Sequence, residues 1–210
     1  MSEKKSDGKE IKDPKIRKEV LNGLYEYDHI MGFLNYELNF SSDKAVFNRV
    51  SSMANDNGYD LEKASSSVGI IGDYYIDIKN NQRIHHHYFL GKTWLLKEKI
   101  DDLEWNLHDE TKEIEGYVCR KATAIINLND IKKGEITAWF APGLPFQFGP
   151  KGYGGLPGLI LGLEIRHYYI YAHAIKLSND EKNINFPTNG EVVDWDTYNK
   201  ETDKLLPWKR

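Results

Sequence analysis

Apolar and polar residues alternate along most of this chain after residue 35, and that period of two restricts the fold to sheets. Tyr36, Leu38 and Phe40 are separated by Glu37 and Asn39. Such alternation puts one set of side chains on a buried face and the other in water. Ala45–Phe47 restarts the pattern after a turn at Ser41-Ser42-Asp43 and ends near Val50. Gly72–Lys79 and Arg83–Leu90 read as a hairpin about Asn80-Asn81, with Thr93–Leu96 extending its second strand past a bulge at Gly91. Leu103, Trp105 and Leu107 form the next strand, His108–Thr111 a turn, and Ile114–Ile126 a long strand. After a turn over 127–134, Glu135–Ala141 runs to Pro142, and Leu159–Leu163 with Arg166–Lys176 closes the series. Residues 51–67, rich in Ser, Asn, Asp and Gly, read as a long loop. Closely spaced strands with short turns predict an antiparallel meander, and one sheet of eight or more long strands tends to curl. The predicted fold is mainly β (α+β): a strongly curved antiparallel sheet or open barrel with one N-terminal helix on its concave side and a short C-terminal helix.

The helices are read from capping and spacing. Asp13 can cap a helix whose first position is Pro14, and Ile16, Val20, Leu24 and Tyr27 recur every three or four residues, with Gly32 as a stop. Near the end, Trp195, Tyr198, Thr202 and Leu205 follow Asp194 at helical spacing before Pro207. Residues 1–13 alternate in charge and read as a disordered lead, leaving 14–210 as a single β-rich domain.

Composition removes several classes of function. The formal net charge is −4 and no basic stripe is visible, which argues against nucleic acid as a partner. One cysteine, Cys119, cannot make an internal disulfide framework. No apolar run approaches the ~20 residues of a membrane-spanning helix. No apolar stretch near the start has the form of a secretory leader, so the sequence read alone is that of a cytoplasmic chain or of one whose leader was removed or lost.

The segment from Ile136 to Glu164 is glycine-rich and holds four of the seven prolines. Gly152, Gly154 and Gly155 suggest a phosphate-binding loop, but no GK[ST] follows and the next element reads as a strand, so that reading fails. Within the segment stands Gly155-Leu156-Pro157-Gly158-Leu159-Ile160, the six-residue signature of the GLPGLI family. The resemblance extends to Trp105-Asn106-Leu107 with Glu110–Ile114, to Gly116–Ala122 (GYVCRKA), to Ala138-Trp139-Phe140 and to Gly149-Pro150, in family order. It implies an exported protein of the bacterial cell envelope, without an established biochemical role and without catalytic residues to carry over. It also implies a leader and a first strand ahead of residue 35, so the start of this chain reads as shortened.

The candidate sites are few. Trp94, Trp105, Trp139, Phe140 and Tyr153 are expected to line the concave side of the sheet, either as an ordinary aromatic core or as a cavity for an apolar ligand. His85 and His87 share one face of a strand, and His167 and His173 share a face of another; if those strands are neighbours, four imidazoles could hold Zn or Cu. The alternative is that these histidines face solvent or make ordinary hydrogen bonds. Cys119 reads as a small buried hydrophobe, since no base stands beside it. Lys121 reads as a buried cation paired with a carboxylate such as Glu104 or Glu135. No G-x-S-x-G or H-E-x-x-H is present and no cofactor motif is recognised. The expected function is therefore non-enzymatic: binding of a hydrophobic small molecule, a peptide or an outer-membrane partner, with metal handling beside an outer-membrane transporter as the alternative.

Overall fold

A computed structural model describes residues 13–16, 18, 22, 29–50, 61–67, 69–100, 103–127, 133–165, 168–179 and 183–205. The chain divides into two compact units, one of residues 1–35 and 51–69, the other of 36–50 and 70–210.

In the first unit, residues 14–16, 18, 22 and 29–31 are helical. Asp13 caps this helix as its sequence predicts, Oδ1 accepting hydrogen bonds from the backbone N–H of Lys15 (2.8 Å) and Ile16 (3.3 Å). Ile16, expected on a buried face, is 51% exposed; Val20, Leu24 and Tyr27 lie outside the described residues, as does the lead over 1–12. A second helix, α1 (Leu61–Ser67), stands where the sequence reads as loop. Its buried residues, Leu61, Ala64 and Ser65, have helical spacing that the polar composition hides.

The second unit is built of strands, and the mainly β class holds. Eleven strands are described: β1 (Tyr36–Phe40), β2 (Lys44–Arg49), β3 (Asp73–Asp77), β4 (Gln82–Phe89), β5 (Lys92–Lys99), β6 (Asn106–Ile114), β7 (Tyr117–Asn127), β8 (Lys133–Ala141), β9 (Leu159–Ile165), β10 (Tyr168–Tyr171) and β11 (Glu191–Val193), followed by helix α2 (Trp195–Leu205). They divide between two sheets, β1-β2-β3-β4-β5-β11 and β10-β9-β8-β7-β6, where one sheet was expected, and neither closes into a barrel. All described neighbours are antiparallel except β11, which runs parallel to β5. At three residues β11 is too short to show a period.

Two hairpins differ from their sequence reading. Leu90 and Gly91 both take positive φ (52° and 81°), so a two-residue turn reverses the chain where a bulge was expected, and β5 pairs with β4 over its whole length. Glu115 and Gly116 (φ 49° and 77°) make the next such turn, between β6 and β7. The predicted turn over His108–Thr111 instead runs inside β6, where the register shifts between Leu107 and Thr111. Polar residues that suggest a turn are here the outward side of a bulged edge strand.

The segment between β8 and β9 joins the two sheets. Leu144, Phe148 and Leu159 share a buried cluster with Ala45 and Ile76 of the six-stranded sheet and with Ile114, Cys119, Trp139 and Leu161 of the five-stranded one. The 3-10 turn at Pro150–Gly152 packs against β2, β3 and β4. Backbone pairs fasten this segment on itself: Leu159 N–H to Leu144 C=O (2.9 Å), Ile160 N–H to Phe148 C=O (2.9 Å) and Gly155 N–H to Gln147 C=O (3.2 Å).

Candidate functional site

The five-stranded sheet carries a polar cluster on the face that bears Cys119 and Trp139. Lys112 stands on β6 opposite Cys119 of β7, and Trp139 of β8 stands opposite Gly162 of β9, which is opposite Tyr171 of β10. Across this face Lys112 Nζ lies 3.2 Å from Glu164 Oε1 on β9 and donates to Tyr171 Oη at 2.5 Å. Its ammonium rests 4.0 Å from the ring centre of Trp139 and 4.4 Å from that of Tyr171. Glu164 Oε1 also accepts from Trp139 Nε1 (2.9 Å) and from Tyr171 Oη. Gly162 makes the arrangement possible, because a Cβ there would come within 2.5 Å of the Tyr171 ring.

The electrostatics follow from these contacts. Burial pushes the Glu164 carboxyl up, but hydrogen bonds from Tyr171, Trp139 and Lys112, with the charge of Lys112, outweigh it and hold the group below its ordinary value. Burial, together with the Glu164 carboxylate, drives the Tyr171 phenol upward. Glu164 is thus a carboxylate and Tyr171 a phenol at neutral pH. Every polar atom named here already has a partner, so the cluster is a satisfied network with half-exposed ends and lacks a free acid or base. Tyr169, 72% exposed, continues it outward with its ring 5.6 Å from that of Tyr171, on β10 at the end of the sheet. Sequence reasoning passed over Lys112 and Glu164; Lys112 lies inside the Glu110–Ile114 stretch, and Glu164 follows the Gly155–Ile160 signature after Leu161, Gly162 and Leu163.

The other expected site residues are placed as follows. The five aromatics do not share one surface: Trp94 is fully buried with Leu96 and Val193, Phe140 packs with Trp105 and Tyr153, and Trp139 belongs to the cluster around Phe148. Trp94 and Trp105 spend their indole N–H groups on backbone carbonyls, Phe89 (3.0 Å) and Gly154 (3.0 Å). Gly149, Pro150, Leu156, Gly158, Leu159 and Ile160 of the motif loop are buried, whereas Gly155 and Pro157 are exposed. Cys119 is fully buried, and burial pushes its thiol up, away from the nucleophilic form. Lys121 is paired, but with Glu110 (2.9 and 3.0 Å) and neither Glu104 nor Glu135, because the continuing β6 brings Glu110 alongside.

The histidines fall apart as a set of four. β4, with His85 and His87, lies between β3 and β5 in one sheet, while β10 belongs to the other. His173 is exposed in a bend after β10, and His167 lies outside the described residues. Among the described residues no group of three or more His, Cys, Asp or Glu side chains is arranged to hold a metal. His85 and His87 do stack, with ring centres 4.2 Å apart, and Tyr74 stacks on the other side of His85 at 4.2 Å. His85 Nε2 donates to the carbonyl of Ile71 (2.6 Å), and His87 Nε2 shares a hydrogen bond with Tyr198 Oη of α2 (3.0 Å). The two Nδ1 atoms, and Nε2 of His86, are buried without hydrogen-bond partners. Burial and the neighbouring His87 push His85 down to about 3; burial and His86 push His87 down to about 4. Both rings are therefore neutral at neutral pH.

Comparisons with known proteins add a limited context. A family model described as a protein of unknown function (Porph_ging) matches residues 127–162, an interval containing β8 and the motif loop. No curated protein matches the chain. Among solved structures, PNGF-II in its P21 and C2 crystal forms is similar, with 19% and 18% sequence identity and a TM-score of 0.53 for each. The likeness covers 83% of this chain but 29% and 32% of the PNGF-II chains, so this chain spans less than a third of their length. At that identity the likeness is one of β fold.

Proposed function

We propose that this chain is a non-enzymatic binding protein of the bacterial cell envelope that holds an extended peptide, or an exposed strand of an outer-membrane partner, along β10 at the edge of its five-stranded sheet. The observation that carries this reading is Tyr169: a 72% exposed aromatic ring beside Tyr171 and the Lys112–Glu164 pair, on a strand at the end of the sheet. A sheet edge offers backbone hydrogen bonds, and aromatic and charged neighbours select side chains. An enclosed apolar cavity has less support, because the five expected aromatics serve separate parts of the core. A curled five-stranded sheet belongs to the same reading, and the contact of β6 with β9 side chains over Trp139 supports it. The test is titration with a panel of extended peptides and, separately, with lipid vesicles, followed by tryptophan fluorescence. Peptide binding that weakens at least tenfold in Tyr169→Ala is the expected result. Binding of lipid alone, or peptide binding unaffected by Tyr169→Ala, overturns it.

Metal handling is the second reading, favoured by one observation: the carbonyl of Ile71 accepts a hydrogen bond from the Nε2–H of His85, leaving the buried Nδ1 with a lone pair and no partner. The nearby ammonium of Lys151 opposes a cation there. Calorimetric titration with Zn²⁺ and Cu²⁺, compared with His85→Ala/His87→Ala, tests it; equal heats from the two proteins overturn it.

A further inference from the structure

The hydrogen bonds at the end of the five-stranded sheet show which backbone groups of β10 are spent. Ala172, one residue past the strand, donates its N–H to the carbonyl of Leu161 (2.8 Å), the next step of the β9–β10 register. In an antiparallel pair the N–H and C=O of a residue point to the same side, and successive residues alternate. Ala172, Ile170 and Tyr168 therefore turn these groups toward β9, and Tyr169 and Tyr171 turn theirs away from the sheet. β10 is last in the strand order, and no described residue bonds to the backbone of Tyr169 or Tyr171 from the outer side. The same two residues carry the rings beside Glu164, which stands opposite Tyr169 on β9 and accepts from Tyr171 Oη.

The edge also has a charge. Oε1 of Glu164 takes its three described donors, Lys112, Trp139 and Tyr171, while Oε2 takes none, on a side chain 42% exposed. On this face Lys112 and Lys121 are matched by Glu164 and Glu110, and the exposed Glu135, on the Trp139 side of β8, adds a further carboxylate. Among the described residues the face thus carries an excess of negative charge. Ile170, between the two tyrosines, points to the other face and packs against the cluster that holds Leu163 and Ile165.

We propose that the occupant of this edge is an extended peptide segment paired antiparallel to β10, with a lysine or arginine opposite Tyr169 and an apolar residue opposite Ile170; this rests on the reading that the edge binds peptide.

An added antiparallel strand exchanges two backbone hydrogen bonds with Tyr169 and two with Tyr171. It stands two strand spacings, about 10 Å, from β9. Lys112 already crosses three spacings to Oε1 over the ring of Trp139. A basic side chain opposite Tyr169 crosses two to reach Oε2 over the ring of Tyr169, by the same combination of ion pair and ring contact. An acidic side chain there meets Glu164 and Glu135 instead. Running antiparallel, the segment passes Tyr171 first, then Ile170, then Tyr169, so its apolar residue directly precedes its basic one. A second copy of this chain fits less well, because its own β10, Tyr168–Tyr171, has no cation to offer.

The test is fluorescence anisotropy of the whole chain with a labelled, capped peptide, Thr-Thr-Tyr-Val-Lys-Thr-Thr, displaced by unlabelled variants. The parent peptide should bind at least about tenfold more tightly than peptides with Glu for Lys, with Asp for Val, or with Tyr and Lys exchanged. In Glu164→Gln the advantage of Lys over Glu should shrink to about threefold or less. Should that variant misfold, salt near 1 M should shrink the advantage in the natural chain in the same way. Equal affinity for all four peptides overturns this proposal and leaves the peptide-binding reading standing, as does an undiminished preference for Lys in folded Glu164→Gln. Absence of binding by every peptide overturns both. A dimer of the free chain in sedimentation that the peptide fails to dissociate gives the edge to a second copy and overturns the proposal.

Discussion

Lys112 on β6 and Glu164 on β9 form an ion pair at 3.2 Å although two strands, β7 and β8, separate them in the sheet. In a flat sheet, three strand spacings place their backbones about 14 Å apart. The pair closes that distance over the Trp139 ring and beside Gly162, where no side chain stands in the way. Ile114 of β6 approaches the same glycine, its Cδ1 lying 3.2 Å from where a Cβ would be. A charged tie and an apolar contact thus act between the same two strands.

Glu164→Gln should lower stability by about 1–2 kcal/mol, because three donors, one of them the Lys112 ammonium, lose their ionised acceptor. Glu110→Gln should change it by less than about 0.5 kcal/mol, since the Glu110–Lys121 pair is more exposed. The pH dependence has a definite sign. Glu164 titrates lower in the folded chain than its ordinary value, so its contribution is complete above the ordinary carboxylate range and is lost as pH falls through the folded value. Urea denaturation should show the natural chain and Glu164→Gln differing most near neutral pH and converging only as the pH falls below the ordinary carboxylate range.

Which parts of this structure were legible beforehand follows from how local each signal is. β1, β2 and β4 were read within a residue or two because alternation is a property of five or six consecutive side chains. The Asp13 cap was legible for the same reason, being a carboxylate next to the N–H groups it accepts from. Helix α1 was missed because Ser, Asn and Asp suit loops, although Leu61 and Ala64 mark a buried face. The division into two sheets was not legible, since it depends on Ala45 and Ile76 meeting Phe148 and Leu161 far along the chain. Lys112 and Glu164 belong to the same class: their distance in sequence is 52 residues, and no local pattern pairs them.

The β4–β5 turn offers a stabilising change. Leu90 holds φ 52° in a two-residue turn, a conformation that costs an ordinary L-residue about 1 kcal/mol. Its side chain is 36% exposed, so little packing is lost on replacement. Leu90→Asn should form the Asn-Gly pair such turns favour and raise stability by about 0.5–1 kcal/mol. An increase in melting temperature by calorimetry is the expected result. Leu90→Val, branched at Cβ, should lower it.

The hydrogen bond between Tyr198 of α2 and His87 of β4 has its own stability signature. Tyr198→Phe removes the hydroxyl from His87 Nε2 and keeps the ring contacts with His87 and Trp94. Loss of one buried hydrogen bond should cost about 1–2 kcal/mol, and it leaves a third buried imidazole nitrogen without a partner on this pair. Hydrogen exchange of 195–205 should therefore quicken in this variant.

The motif loop leaves several of its glycines little room, and these can be ranked. A Cβ on Gly158 would overlap the carbonyl of Ala141, and one on Gly154 would lie 2.5 Å from the carbonyl of Gln147. Both obstacles are backbone groups at the joint between the sheets, where neither neighbour can rotate aside as a side chain would. Gly158→Ala and Gly154→Ala should each cost about 2–4 kcal/mol, at the upper end of overpacking effects. Gly143, in the turn after β8, has open space around its Cβ position, and Gly143→Ala should stay within about 0.5 kcal/mol of the natural chain. Urea midpoints for the three variants check the order. Equal tolerance at all three positions would show that the loop yields at the joint, and the glycines of the signature would then have to be explained by something other than close packing.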